Sequence, residues 1–238
     1  MPHRAAATAG CTSSRLTIAR SDLDARSPEQ HPLEVVRAHE VLGTPLERET
    51  SVDKMTQSDR DALRQMLLDR SMKFGEFVLS SGATSHYYID VRKTSLHPEG
   101  LKRITRLFWE QLEDAGVTAI GGLTMGADPL VAGLMWWSME QGKPLEGFLV
   151  RKNPKDHGMR GSVEGNLAGH KRVAILDDVI TSGESALIAC EAAESYKAEV
   201  VRVLAVVDRG QGAPQIFQQR GYNYTSLFAI GDLLPAEK

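Results

Sequence analysis

The segment Arg172 to Ser185, Arg-Val-Ala-Ile-Leu-Asp-Asp-Val-Ile-Thr-Ser-Gly-Glu-Ser, restricts the folds open to this chain more than any other. The apolar run Val173 to Leu176 has the character of a buried parallel strand, and it ends abruptly in two carboxylates, Asp177 and Asp178. Val179 and Ile180 follow, then the small polar turn Thr181-Ser182-Gly183-Glu184-Ser185, then a helical pattern. A strand that meets a small-residue loop at a helix start gathers unpaired backbone N–H groups and the positive end of the helix dipole at one point. That point is an anion site. The paired acids repel a bare phosphate and suit hydroxyl groups or a metal-bound sugar instead. A ligand with a phosphate at one end and a diol beside it, such as a ribose 5-phosphate, satisfies both halves. Taken alone, the segment is also compatible with a strand bearing surface acids before an ordinary helix cap.

The same strand, turn and helix order recurs along the chain. Thr56 or Ser58 can cap a first helix, with Asp59 or Asp61 as capping-box partner and Leu63, Met66 and Leu67 as its apolar stripe. Two aromatic-rich segments, Phe74–Leu79 and Thr84–Arg92, flank a Ser-Ser-Gly turn and predict a β-hairpin. Pro98 starts a helix lined by Leu101, Ile104, Leu107, Phe108 and Leu112. A strand at 117–120 then runs into a Gly-rich turn, with Asp128 as N-cap and Pro129 at the first position of a helix that carries Trp136 and Trp137, a pair expected in the core or at a subunit interface. Further strands are expected at 147–150, 173–176, 200–207 and 224–229, with helices after the second and third of these. Alternation of this kind predicts an α/β fold, a mostly parallel sheet flanked by helices on both faces.

Two further clusters fall at strand ends, where open α/β sheets bind ligands. Arg151, Lys152, Lys155 and His157 follow the strand Gly147–Val150, and the Gly-rich stretch after them shows no apolar anchor, as expected of a lid over a polyanion. Arg209 follows the strand Val200–Val207, where a guanidinium fork can grip a carboxylate through two parallel N–H bonds. The competing reading for Arg209 is a surface ion pair with Asp208, and for Tyr87 and Tyr88 it is plain packing of a small sheet.

Composition excludes more than it selects. With 238 residues, 42% apolar and 25% charged, the chain has an ordinary globular composition and the length for one sizeable domain, or one domain plus a tail. A net charge of −3 gives no basic footprint, so nucleic acid is not a partner, and no apolar run approaches the roughly 18 residues that span a bilayer. Cys11 and Cys190 have no metal-ligand spacing, and Cys190 falls on the apolar side of a helix as a core thiol, which suits a reducing, cytoplasmic setting. Residues 1–54 lack lasting periodicity and read as a disordered leader. A targeting segment, or a natural start at Met55, are the other readings.

The run Asp-Asp, two apolar residues, Thr-x-Gly-x-Ser resembles the phosphoribosyl pyrophosphate (PRPP) loop of type I phosphoribosyltransferases. The run Arg-Lys-x-x-Lys-x-His-Gly at 151–158 resembles the catalytic loop of one family among them, the orotate phosphoribosyltransferases, and the hairpin segment resembles that family's N-terminal hood. The resemblance covers about Gln57 to Leu234. It implies a phosphoribosyltransferase domain over 55–238, with helix and hood at 55–95 and the α/β core at 96–238. It implies that Arg151, Lys152, Lys155 and His157 face the leaving pyrophosphate, and that Asp177 and Asp178 hold the ribose hydroxyls. Val179, Ile180, Thr181, Ser182, Gly183, Glu184 and Ser185 would surround the 5′-phosphate, while Thr181, Arg209 and, more weakly, Tyr88 would read orotate. Mg²⁺ would arrive through PRPP with no direct protein ligand, and the lid would act in trans within a homodimer. Two lysines that many members carry are missing, at Ser80 and in the turn 127–129, whose loop is left with a backbone role. The alternatives are a phosphoribosyltransferase for another base, which would need neither the lid pattern nor Arg209, and a non-catalytic PRPP-sensing regulator, which would add a DNA-binding module or a basic face.

Overall fold

The computed structural model describes residues 56–78, 82, 84–152, 162–169 and 172–235. The leader at 1–54, Ser80, Lys155 and His157 lie outside the described residues.

Thr56 caps α1 (Gln57–Met66) in the expected capping box: its hydroxyl accepts from the Asp59 N–H at 3.2 Å, and the Asp59 carboxylate accepts from the Thr56 N–H at 3.1 Å. The helix continues into a π-helical turn, Leu67–Ser71, which nothing in the apolar spacing signals. Strands β1 (Met72–Val78) and β2 (Thr84–Ile89) then pair antiparallel, with Lys73 opposite Tyr88, Phe74 opposite Tyr87, and a bulge before Phe77 meets Ser85. A short helix, α2 (Arg92–Ser95), leads to α3 (Pro98–Leu112). Pro98 opens α3, where its missing N–H costs nothing, and Ile104, Leu107, Phe108 and Leu112 are buried as the stripe requires. Leu101, at the edge of that stripe, is half-buried.

The main body follows as β3 (Ala119–Leu123), α4 (Asp128–Glu140), β4 (Glu146–Val150), β5 (Val163–Gly165), β6 (Arg172–Ile180), α5 (Glu184–Ser195), β7 (Glu199–Asp208), α6 (Ala213–Gln219) and β8 (Tyr224–Ala229). Six strands form one sheet in the order β5-β4-β3-β6-β7-β8, parallel throughout except for β5. Successive residues of a strand point to opposite faces, and β6 divides accordingly. Ala174 and Leu176 pack with α1, α3 and α4 residues, while Val173 and Ile175 pack with Ala186, Ala189 and Cys190 of α5. Burial pushes the Cys190 thiol up, so it stays a neutral core group.

Three expectations are corrected. The strand at the central segment does not stop at Leu176 but runs to Ile180, so Asp177 and Asp178 are strand residues. The cap of α4 is Ala127, with Asp128 at the first helical position, because the Asp128 carboxylate turns back to accept from the Thr124 hydroxyl at 2.9 Å. The glycine-rich stretch after the cationic run is anchored: β5 pairs with β4 through Val150–Val163 and Phe148–Gly165, and Leu167 is buried. The tryptophan pair divides between its two expected places: Trp137 packs on the core under the Arg106 guanidinium at 5.6 Å, and Trp136, 62% exposed, is left to the subunit-interface alternative.

Candidate active site

The sheet changes direction between β3 and β6. From β3 the chain goes first to β4 and β5 on one side, then returns to β6, β7 and β8 on the other. The loops after β3 and β6 therefore diverge and leave a crevice at the carboxyl edge, the place where doubly wound sheets bind ligands. Pairing of β3 with β6 ends at Gly121 and Ile175, so Asp177 and Asp178 lie just beyond the last paired residues. Glycine sets how closely the walls approach. A Cβ on Gly122 would sit 2.1 Å from the Leu176 carbonyl oxygen, and one on Gly126 would sit 2.4 Å from Asp178 Oδ1.

The two acids are not equivalent. Asp177 is buried; its Oδ1 accepts from the Asp178 N–H at 2.9 Å, and its Oδ2 is buried without a partner. Burial first, and then the neighbouring Asp178 charge, push the Asp177 carboxyl well above the usual carboxylate range. Asp178 is half-buried beside Gly126, and its Oδ1 accepts from the Val179 N–H at 2.8 Å. Burial raises this carboxyl too, against the opposing pull of that N–H and of the Arg92 guanidinium. Arg92 is itself held by Asp90 at 2.8 Å, which keeps it charged beside the acid pair.

The loop between β6 and α5 has the backbone form its residue types suggest. Gly183 sits at φ +88°, a left-handed conformation that favours glycine, and caps α5 without a side chain. The first-turn N–H groups of this 12-residue helix are thus left to the solvent side of the loop. Thr181 is half-buried, Ser182, Glu184 and Ser185 are exposed, and the Ile180 side chain is buried in the α5-side core, so Ile180 offers the crevice only backbone. On the facing side, the Thr124 N–H donates to the Val150 carbonyl at 2.9 Å, tying the β3 loop to the end of β4; the Thr124–Met125 peptide is cis.

Arg209 extends from the end of β7, where its N–H donates to the Ile180 carbonyl at 2.8 Å. Its guanidinium lies 5.3 Å from the Tyr87 ring centre, and its Nε is buried without a partner. Among the described residues no ion pair joins it to Asp208, whose carboxylate instead accepts from the Gly210 N–H at 2.7 Å. Arg209 therefore faces a cavity of about 930 Å³ between the β1–β2 ribbon and the sheet edge. Lys73, Phe77 and Tyr88 line its ribbon side, and Thr181, Ser182 and Gln211 its sheet side. Tyr88 stacks obliquely on Phe77 at 5.9 Å, while Tyr87 packs against the core, so the two tyrosines divide between the two readings.

Of the cationic run, Arg151 and Lys152 are described. Arg151 follows β4 directly, on the same sheet edge, and pairs with Glu164 at 2.8 Å; Lys152 is exposed. Sequence reading passed over Lys73 and Arg92. Lys73 directly precedes the aromatic hairpin run, and only the strand register carries it to the cavity. Among the described residues no group of three His, Cys, Asp or Glu side chains could hold a metal ion, and no helix is long and apolar enough to cross a membrane.

Sheet order, switch-point loop and overlying ribbon together have the architecture of the type I phosphoribosyltransferases. No family model matches the chain. It is, however, 39% identical over 183 residues to the orotate phosphoribosyltransferase of Aquifex aeolicus, spanning 76% of this chain and 100% of that one. A crystal structure of the Mycobacterium tuberculosis orotate phosphoribosyltransferase, solved with Fe(III) dicitrate, superposes with a TM-score of 0.66 at 38% identity over 74% of this chain and 98% of that one. The same enzyme in complex with PRPP gives a TM-score of 0.61 at 31% identity over 76% and 94%. The chain belongs to the orotate phosphoribosyltransferase family.

Proposed function

We propose that this protein transfers the phosphoribosyl group of PRPP to orotate, giving orotidine 5′-monophosphate and pyrophosphate, in pyrimidine nucleotide synthesis. The observation that carries this reading is the meeting, at one sheet edge, of the α5 loop with no side-chain cap, the acid pair and Arg209, whose Nε has no hydrogen-bond partner. The PRPP complex of the M. tuberculosis relative supports it.

In the reaction the bond from the ribose C1 to pyrophosphate breaks and a bond from C1 to the orotate ring nitrogen forms, with loss of that nitrogen's proton. The transition state places positive charge on the sugar and negative charge on the leaving pyrophosphate. The N–H groups from Gly183 onward and the Thr181, Ser182 and Ser185 hydroxyls would bind the 5′-phosphate. Asp178 would accept from the ribose hydroxyls and offset the sugar's charge, with Asp177 behind it. Arg151, Lys152, Lys155 and His157 would stabilise the pyrophosphate, and His157 is of a type that can donate a proton. Thr181, Arg209 and Tyr88 would hold orotate.

The donor set fits Mg²⁺ arriving on PRPP oxygens: two carboxylates are close by, one with a free Oδ2, but too few for a protein-built cage. Bound there, the ion would neutralise charge on the leaving group. The working unit would be a cytoplasmic homodimer in which the cationic lid reaches the neighbouring subunit's site, with the catalytic domain starting near residue 55. Loss of orotate absorbance with PRPP and Mg²⁺ tests the reading. Turnover of another base with none of orotate would refute it.

A further inference from the structure

Arg151 does not stand free at the end of β4. One of its terminal guanidinium nitrogens lies 2.8 Å from Glu164 Oε1, and among the described residues neither side chain forms another ion pair. Backbone register sets this contact. The Arg151 N–H donates to the carbonyl of the buried Ser162 at 2.8 Å, and Val150 and Leu149 then face Val163 and Glu164 across the β4–β5 ladder. Arg151 and Glu164 are thereby diagonal neighbours across the two strands. The register is pinned further along. The Asn166 N–H donates to the Gly147 carbonyl at 2.9 Å, and its side-chain amide donates to Glu146 at 2.7 Å. Gly165, at φ +92°, lies so close that an added Cβ would come within 2.6 Å of that same carbonyl oxygen. The carboxylate is thus carried by the chain's own sheet, while both charged side chains remain partly open to solvent.

Arg151 is one of the cations assigned above to the leaving pyrophosphate. A carboxylate kept 2.8 Å from the guanidinium would repel a polyanion arriving on the same group, so the two contacts compete. An exposed ion pair is weak enough to be opened by such a competitor. From this arrangement we infer that Glu164 is a positioning residue for the transfer: it is the resting counter-ion of Arg151, displaced when pyrophosphate binds and reclaiming the guanidinium as pyrophosphate leaves. The inference rests on the pyrophosphate role proposed for Arg151 and deepens it, by naming the group of this chain that competes for that cation.

The test is calorimetric binding of inorganic pyrophosphate, with Mg²⁺ present, to the full chain, to Glu164→Gln, to Arg151→Ala and to the double variant. Arg151→Ala should weaken pyrophosphate about tenfold. Glu164→Gln should tighten it about threefold, the scale of an exposed ion pair, and should change nothing once Arg151 is gone. That dependence separates a counter-ion from a carboxylate that only lowers the local potential, which would act equally in both backgrounds. A wild type that does not bind pyrophosphate, or an Arg151→Ala variant that binds it equally well, overturns the placement of Arg151 on the leaving group and the counter-ion role with it. A weakened Arg151→Ala, alongside a Glu164→Gln variant that binds no tighter than wild type or tightens equally without Arg151, overturns the counter-ion role alone.

Discussion

Gly126→Ala tests the crevice at its tightest point. The added Cβ would fall 2.4 Å from Asp178 Oδ1 and 2.8 Å from its Cγ, where ordinary contact begins at 3.4 Å, so one wall must retreat by about 1 Å. Two routes exist. The carboxylate can swing away, losing the 2.8 Å bond from the Val179 N–H, which at a charged acceptor costs about 1.5–3 kcal/mol. Alternatively the loop can lift, against Thr124 N–H to Val150 O at 2.9 Å and Ala127 N–H to Leu123 O at 3.2 Å. Either route lowers stability by a similar amount, or roughly 3–10 °C in Tm for a chain of this size. Either also moves Asp178 relative to the ribose, and a 1 Å misplacement of a positioning group costs about 100-fold in rate. Differential scanning fluorimetry and steady-state kinetics with varied PRPP read both effects. Gly231→Ala is the control, because a Cβ there meets nothing within 4 Å. If Gly126→Ala keeps kcat/KM for PRPP within twofold of wild type, Asp178 does not hold the ribose in the manner argued.

Arg209→Ala should raise the KM for orotate at least tenfold and leave that for PRPP within twofold, and Arg209→Lys should not rescue it, because the fork is lost; equal KM values for orotate would refute the assignment. Asp177 has a folded-state pKa raised above its ordinary value of 3.8, so its ionised form costs stability. That cost is absent below about pH 3.8, grows as pH rises through the window up to the raised value, and is constant above it. Asp177→Asn should therefore melt higher than wild type at neutral pH, with the difference shrinking toward pH 4; a difference that grows toward acid would reverse the sign argued here. Deleting residues 1–54 should leave turnover within twofold of the full chain, measured by the same absorbance assay.

Elements with a local signature were legible in the sequence. The α1 capping box, the Pro98 helix start and the β-branched runs of β6 and β7 rest on neighbours within a few residues, and they formed as read. What failed depends on distant partners. Asp177 and Asp178 look like the end of a strand because carboxylates rarely sit in one, yet β7 pairs alongside as far as Ile180 opposite Asp208 and draws the strand onward. The segment after Gly161 looks unanchored because a three-residue strand has no periodicity to detect; its pairing with the edge of β4 is a tertiary event. For the candidate site, the motif order singled out the acid pair, the loop and Arg209, whereas only cross-strand register sets Lys73 opposite Tyr88.

The β1–β2 ribbon has consequences for how this protein can change by descent. It is a separate two-stranded sheet with almost no buried face of its own: Met72 is its one buried residue, and Phe74 and Val78 stand exposed. Such ribbons are marginal by themselves and borrow their stability from what they dock on. The loop proposed to hold the donor, by contrast, is continuous with β6, in which Val173 to Asp177 are all buried. If the proposed site is right, substitutions in the ribbon can therefore alter which acceptor is welcome without disturbing the core behind the β6 loop. On the proposed reading, inheritance of the donor and experiment with the acceptor fall to different pieces of chain.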